Sequence, residues 1–201
     1  MISIPWANLI FLNITMFFCW YFYILSVQPV SRSEKYGEKA WQDCKRFRAI
    51  SGILMGVITI NFILWIWFPI PELAWFVHPI HLVSIVIGVI IAIIFTPIWI
   101  KGIKDAGPET MIPAKTTQLY GGIYKHIRHP QAVGEMPWFV IIPLFINSLF
   151  LVIWAIIMVI IVSPIIIHYE EKDLIKRFGE EYREYQKKTG AIFPKLRKPK
   201  D

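Results

Sequence analysis

Four long uncharged stretches decide what this chain can fold into. A helix that crosses a hydrocarbon core of about 30 Å needs roughly 20 residues at 1.5 Å each. Residues 4–27, 50–68 and 75–100 reach that length and contain no Asp, Glu, Lys or Arg. A fourth stretch, 136–167, is too long for one crossing and is interrupted by Asn147 and Ser148, which read as the turn of a helical hairpin. The expected architecture is an all-α integral membrane protein with five transmembrane helical segments, the last two forming a hairpin. One membrane domain, 1–201, would comprise an N-terminal three-span part, 1–115, and a C-terminal region, 116–194, with the hairpin at 135–167. The composition of 56% hydrophobic and 17% charged residues excludes an ordinary soluble domain. The first stretch has no basic residue before it and no small-residue cleavage site after it, so it reads as a retained span and not as a signal peptide.

The placement of positive charge orients these segments. Of the 21 Lys and Arg residues, six lie in 28–49, five in 101–133 and ten beyond 167, all on one side of the five-span topology. The opposite side keeps a single formal charge, Glu72. Cytoplasmic loops collect Lys and Arg, which puts the N-terminus outside and the C-terminus inside. The net charge of +7 is therefore a topology signal, and no nucleic-acid partner is expected. The two cysteines, Cys19 in a span and Cys44 in a basic loop, read as free thiols.

The hairpin arms are unequal. Residues 149–167 reach about 28 Å, whereas 135–146 reach about 18 Å. With a shared turn at Asn147, the loop carrying Arg128 and His129 would be held roughly 10 Å deeper than the end of the other arm. Irregular polar backbone at that depth must be buried in protein or line a cavity, which points to a cytoplasm-facing pocket. After the last span, residues 169–188 read as one amphipathic helix carrying Leu174, Phe178, Tyr182 and Tyr185 on one face.

The polar residues that could line such a pocket cluster in GGIYKHIRHPQAVGE, residues 121–135, and at His168, Glu170 and Glu171. Lys125, His126, Arg128 and His129 can be read as an inside anchor or as a site. Paired carboxylates on the basic side are not required by topology, and a cationic ligand would account for them. A metal site built from His126, His129 and His168 or Glu170 is disfavoured by the short His-x-x-His spacing and by Arg128 beside it. His78 and His81, three apart beside Pro79, read as packing histidines. The chain has no phosphate-binding loop, dinucleotide fingerprint or nucleophile elbow.

Tyr124, Arg128-His129-Pro130 with Gly134, Glu170-Glu171, Phe178-Gly179-Glu180-Glu181-Tyr182, Tyr185 and Pro194 together resemble the isoprenylcysteine carboxyl methyltransferase family. That family belongs to the integral membrane methyltransferases related to phospholipid methyltransferases. The resemblance covers 116–194, with the hairpin between the blocks. It implies S-adenosylmethionine as methyl donor, no metal, and cofactor contacts from Thr116, Thr117, Gln118, Leu119, Tyr124, His129, Pro130, Gln131, Ala132 and Glu170, with His126 and Glu171 as neighbours. Arg128 would be the catalytic candidate, orienting an anionic acceptor. The acceptor would be lipophilic, a prenylcysteine-type carboxylate or a lipid headgroup, entering from the bilayer while the cofactor enters from the cytoplasm. Two positions depart from the family pattern: Ala132 stands in place of a tyrosine, and Ile166 in place of a substrate-contacting arginine.

In-line positioning of nucleophile, methyl carbon and sulfur can supply about 7 to 11 kcal/mol of such a reaction's barrier lowering. Two other readings compete. Arg-x-Pro and Gly134-Glu135 are also similar to sterol-reductase-like enzymes using NADPH, and a non-catalytic scaffold or small transporter would bind neither cofactor.

Overall fold

The computed structural model describes residues 3–118 and 120–195. Among these residues the only regular elements are helices. They are α1 (Ile4–Ser26), α2 (Pro29–Tyr36), α3 (Lys39–Leu64), α4 (His81–Ala106), α5 (Pro130–Glu135), α6 (Trp138–Phe145), α7 (Leu149–Phe178) and α8 (Glu180–Lys188), with short 3-10 turns between some of them. Four helical stretches are long and apolar enough to cross a bilayer: α1, α3, α4 with the turn that extends it (His81–Thr110), and α7. The protein is thus a multi-pass membrane protein.

The short hairpin arm expected at 135–146 does not form a fifth crossing helix. Its helical part is α6, with 8 residues, below the length of a crossing, and Met136 and Pro137 separate it from the 6-residue α5, which ends at Glu135 where the arm begins. Proline at 137 and again at 143 removes backbone donors that a continuous helix would use. The chain then reverses at Asn147, whose φ of 60° is left-handed. Asn147 holds that geometry by accepting from the His78 N–H (3.1 Å) and donating to the His78 carbonyl (2.9 Å). Ser148 caps α7, its hydroxyl accepting from the Leu151 N–H.

A second difference concerns 169–188. The expected single amphipathic helix is two: α7 continues to Phe178, and Gly179, with φ 61°, ends it and starts α8. A glycine adopts that conformation without the Cβ clash that other residues meet. Leu174 and Phe178 therefore lie on the end of the long helix, and Tyr182 and Tyr185 on the short one.

One core joins elements from both ends of the sequence. Leu12, Met16 and Trp20 of α1 meet Ile58 and Phe62 of α3, Phe139 of α6, and Leu151, Ala155 and Ile166 of α7. Apolar side chains on the opposite faces, such as Phe17, Ile93 and Ile160, are exposed, as a lipid-facing surface requires. Between α4 and α5 the backbones meet: a Cβ placed on Gly134 would lie 2.4 Å from the Trp99 nitrogen. Both cysteines are free and buried. Cys44 donates to the Leu25 carbonyl at 3.3 Å, and Cys19 lies 3.4 Å from the Ser51 hydroxyl.

Candidate active site

At the end of the bundle where α7 outruns the apolar region, the loop before α5 folds over α7 and α8. Four hydrogen bonds hold the loop. The Arg128 and His129 N–H groups donate to the Gly190 (2.9 Å) and Ala191 (3.0 Å) carbonyls. The Tyr185 hydroxyl donates to the Tyr124 carbonyl at 2.6 Å. Asp105, on α4, accepts from the Ile123 N–H at 2.7 Å, beside Gly122, whose φ of 55° and lack of a Cβ allow the close approach.

At the centre His129, 5% exposed, lies between two carboxylates. Its Nδ1 is 3.0 Å from Glu170 Oε2 and its Nε2 is 3.0 Å from Glu171 Oε1. Ionised carboxylates only accept, so both ring nitrogens carry protons and the ring is a cation. Burial opposes that charge, but the two carboxylates outweigh it and raise the His129 pKa from 6.5 to about 9. Glu171 is shared with Arg128, whose Nε donates to Glu171 Oε1 at 2.7 Å. The Arg128 guanidinium also donates to the carbonyls of Gln186 and Thr189, at the end of α8. Glu171 Oε2 accepts from Gln186 Nε2 at 2.8 Å.

The His129 bridge predicts a pH dependence. A folded pKa above the unfolded value means that the bridge contributes its full stability below about 6.5 and loses it as pH rises through about 9. The thermal midpoint in detergent should fall across that window, and His129→Asn should flatten the fall.

A second group of charges closes the far wall. Arg177 donates to Glu109 Oε1 at 2.8 Å and to the Thr117 carbonyl at 3.3 Å, and lies over the Phe178 ring. Glu109 Oε2 accepts from the Ala114 N–H. Arg48, from α3, donates to the Glu109 and Thr110 carbonyls, each at 2.9 Å. Asp173 accepts from the Val30 and Ser31 N–H groups and so fastens the start of α2 to α7. On the α5 side, Gln131 donates to the Tyr124 hydroxyl (3.0 Å) and to Thr110 Oγ1 (3.1 Å).

These walls enclose one cavity. Of the residues expected at a cofactor site, Thr117, Tyr124, His129, Pro130, Gln131, Ala132 and Glu170 line it, as do Arg128, the catalytic candidate, and Ile166. Thr116 and Gln118 are exposed and do not line it; Gln118 instead donates to Glu181 at 2.8 Å. Leu119 lies outside the described residues. Tyr23, Val27, Pro29, Arg48 and Asp173 line the cavity without having been expected there. Only Asp173 had a sequence signal, three residues after Glu170 and hence on the same helical face. His78 and His81 lie elsewhere, at the α6–α7 turn, where His81 Nε2 is 2.8 Å from the Phe145 carbonyl.

The wall retains unused hydrogen-bonding capacity. The Tyr120 hydroxyl and Arg48 Nε are buried without a partner among the described residues. Every other wall carboxylate oxygen, on Glu109, Glu171 and Asp173, has a protein donor; Glu170 Oε1 has none among the described residues. With the rings of Tyr120 and Tyr185 4.5 Å apart beside them, the cavity offers donors, one anionic acceptor and aromatic surface. Among the described residues, no group of three or more His, Cys, Asp or Glu is arranged to hold a metal ion.

A membrane bundle with a charged and aromatic cavity at one end, closed by the segment after its last span, is the framework of a membrane enzyme. Residues 82–181 match the phospholipid methyltransferase family model, so this part of the chain is a domain of that family. The chain is 30% identical over 163 residues to methanethiol S-methyltransferase of Pseudomonas deceptionensis, covering 73% of this chain and 59% of the relative. It is 28% identical over 156 residues to methanethiol S-methyltransferase 1 of Bradyrhizobium diazoefficiens, covering 71% of this chain and 53% of the relative. The chain thus spans little more than half the length of these relatives.

Proposed function

We propose that the protein is an S-adenosylmethionine-dependent methyltransferase that acts at the membrane surface on a lipophilic acceptor. The observation that carries this reading is the unused capacity of the wall: Glu170 Oε1, the Tyr120 hydroxyl and Arg48 Nε, next to the tilted pair of Tyr120 and Tyr185. Those groups fit the donor's polar ends and ring. Glu170 would accept from its hydroxyl or ammonium groups, Arg48 would meet its carboxylate, and Tyr124 with Tyr120 would pack on its base. The bound donor supplies an electrophilic methyl group on a sulfonium.

The chain's own residues then position and exclude water. Arg128 acts as a positioning residue, since its guanidinium joins Glu171 to the end of α8. His129, protonated and engaged at both nitrogens, cannot take a proton from the acceptor. In the proposed arrangement 135–146 acts as a short re-entrant arm beside α7, setting the loop at the depth of the acceptor, with the cavity on the cytoplasmic side.

For the acceptor, a thiol fits better than a carboxylate. The wall offers Ala132 and the buried Ile166 where a carboxylate would need a cation. The Arg177 guanidinium already serves Glu109, and that of Arg128 serves Glu171. The two relatives are named for S-methylation of methanethiol, which favours the same class. With Glu170 assigned to the methyl donor and both His129 nitrogens engaged, the thiol in this reading arrives ionised. Transfer should therefore rise about tenfold per pH unit below the thiol's own pKa. A carboxylate acceptor would give a flat profile over the same range.

Calorimetry on the purified protein with S-adenosylmethionine, S-adenosylhomocysteine and NADPH tests the reading. Both adenosyl ligands should bind and NADPH should not, and Glu170→Gln should weaken them about tenfold or more. Binding of NADPH alone would overturn the proposal.

A further inference from the structure

A second concavity lies on the lipid-facing side of α4, separate from the cavity above. It is a groove of about 690 Å³ floored by Val89, Ala92, Ile93, Pro97 and Ile100. Thr96 and Trp138 form its side, and Lys101 and Lys104 its rim. No residue lines both spaces, and the close contact of Gly134 with Trp99 stands between α4 and α5. The groove exists because α4 carries Pro97 in its interior while α6 starts only at Trp138, so the neighbouring helix does not fill the space beside the proline.

Its polar groups are arranged by depth. Lys101 and Lys104 are exposed at the end of the apolar stretch; Lys101 is shared with Asp105, and Lys104 has no partner among the described residues. Thr96 lies five residues further in, about 7.5 Å along the helix. The Thr96 hydroxyl and the Trp138 indole N–H are both buried and without a hydrogen-bond partner among the described residues. Unpaired donors at membrane depth are costly, because no water competes for them. Apolar floor, two donors at intermediate depth and two cations at the rim match one amphiphile. An acyl chain would lie on the floor, ester carbonyls would accept from Trp138 and Thr96, and a phosphate would sit between the lysines.

We infer that this groove binds an anionic glycerophospholipid, its phosphate at Lys101 and Lys104 and its ester oxygens at Thr96 and Trp138. The ligand is a bound lipid and not the methyl acceptor, because the groove has no residue in common with the cavity. It acts on the turn of α4 that carries Gly102, packed on Gln131, and Asp105, which holds Ile123. Occupancy therefore braces the loop that forms the cavity wall.

Thermal shift and native mass spectrometry on the full chain in detergent test this without reference to catalysis. The probes are short-chain phosphatidylglycerol, short-chain phosphatidylcholine and glycerol 3-phosphate. Phosphatidylglycerol should bind and raise the midpoint. Lys104→Ala should weaken it about fivefold, and the Lys101→Ala/Lys104→Ala pair more than tenfold. Trp138→Phe, which keeps the ring and loses the donor, should weaken it several-fold. Equal binding of phosphatidylcholine, comparable binding of glycerol 3-phosphate, or an unchanged affinity in the double lysine variant would each overturn the inference. A positive result together with failed S-adenosylmethionine binding would leave the lipid site standing and remove the proposed enzymatic function.

Discussion

Gly134→Ala should destabilise this protein strongly. A Cβ at 134 would lie 2.4, 2.5 and 2.6 Å from the nitrogen, Cβ and Cα of Trp99. Those are mostly backbone atoms, so no rotamer change relieves the overlap and α4 and α5 must separate. Overpacking costs typically 1–3 kcal/mol, and more where backbone must move. In a chain of this size the thermal midpoint should fall by roughly 5 to 10 °C. Gly52→Ala, where a new Cβ meets nothing within 4 Å, should leave it unchanged or slightly raised. Equal midpoints for the two variants would show that α4 and α5 are not in that contact. The expected damage is also functional, since the same interface positions Gln131 against Gly102.

Arg128→Ala should have the second large effect, on the closure of the cavity. The Arg128 and Glu171 side chains are 10% and 17% exposed. Breaking a buried pair from one side costs about 3–5 kcal/mol, and because His129 and Gln186 still hold Glu171 the loss here should lie toward the low end of that range. The same change deletes the donors that hold the carbonyls of Gln186 and Thr189. Hydrogen exchange should therefore accelerate across 180–191 and remain unchanged in α1 and α3, and binding of S-adenosylmethionine should fall with it. Arg128→Lys keeps the charge but cannot serve a carboxylate and two carbonyls together, so it should restore only part of the protection. Because Glu171 is common to Arg128 and His129, the double variant Arg128→Ala/Glu171→Gln should lose less than the sum of the single losses.

The long spans were legible because length and the absence of charge are properties of a local stretch. The same was true of the turn at Asn147, whose residue type tolerates the left-handed conformation it adopts. The break at Gly179 had a signal, since glycine favours the position just past a helix end, but the spacing of Leu174, Phe178, Tyr182 and Tyr185 runs through it and outweighs that signal in the sequence. The pairing of His129 with Glu170 and Glu171 rests on residues that the motifs bring forward, although their distance in sequence hides the contact. Arg48 was hidden for another reason. As one of six basic residues in 28–49 it serves equally well as a topology charge, and only the packing of α3 beneath the loop at 109–110 turns it into a wall of the cavity. Tyr23 lies within an apolar run, where an aromatic carries no signal of its own.

The bonds from Asp173 to the start of α2 have a consequence for how such a protein can be divided. Sequence similarity to the family model begins at residue 82. The cavity, however, takes Tyr23, Val27, Pro29 and Arg48 from before that point, and α7 reaches back to fix Val30 and Ser31. The start of the family-model match is therefore not a boundary of folding. A gene fragment covering only the matched region would lack a wall, a capping carboxylate's partner and much of its core. The first two spans are for this reason part of the unit that forms the cavity rather than a detachable membrane anchor, and exchange of modules between relatives would have to carry them along.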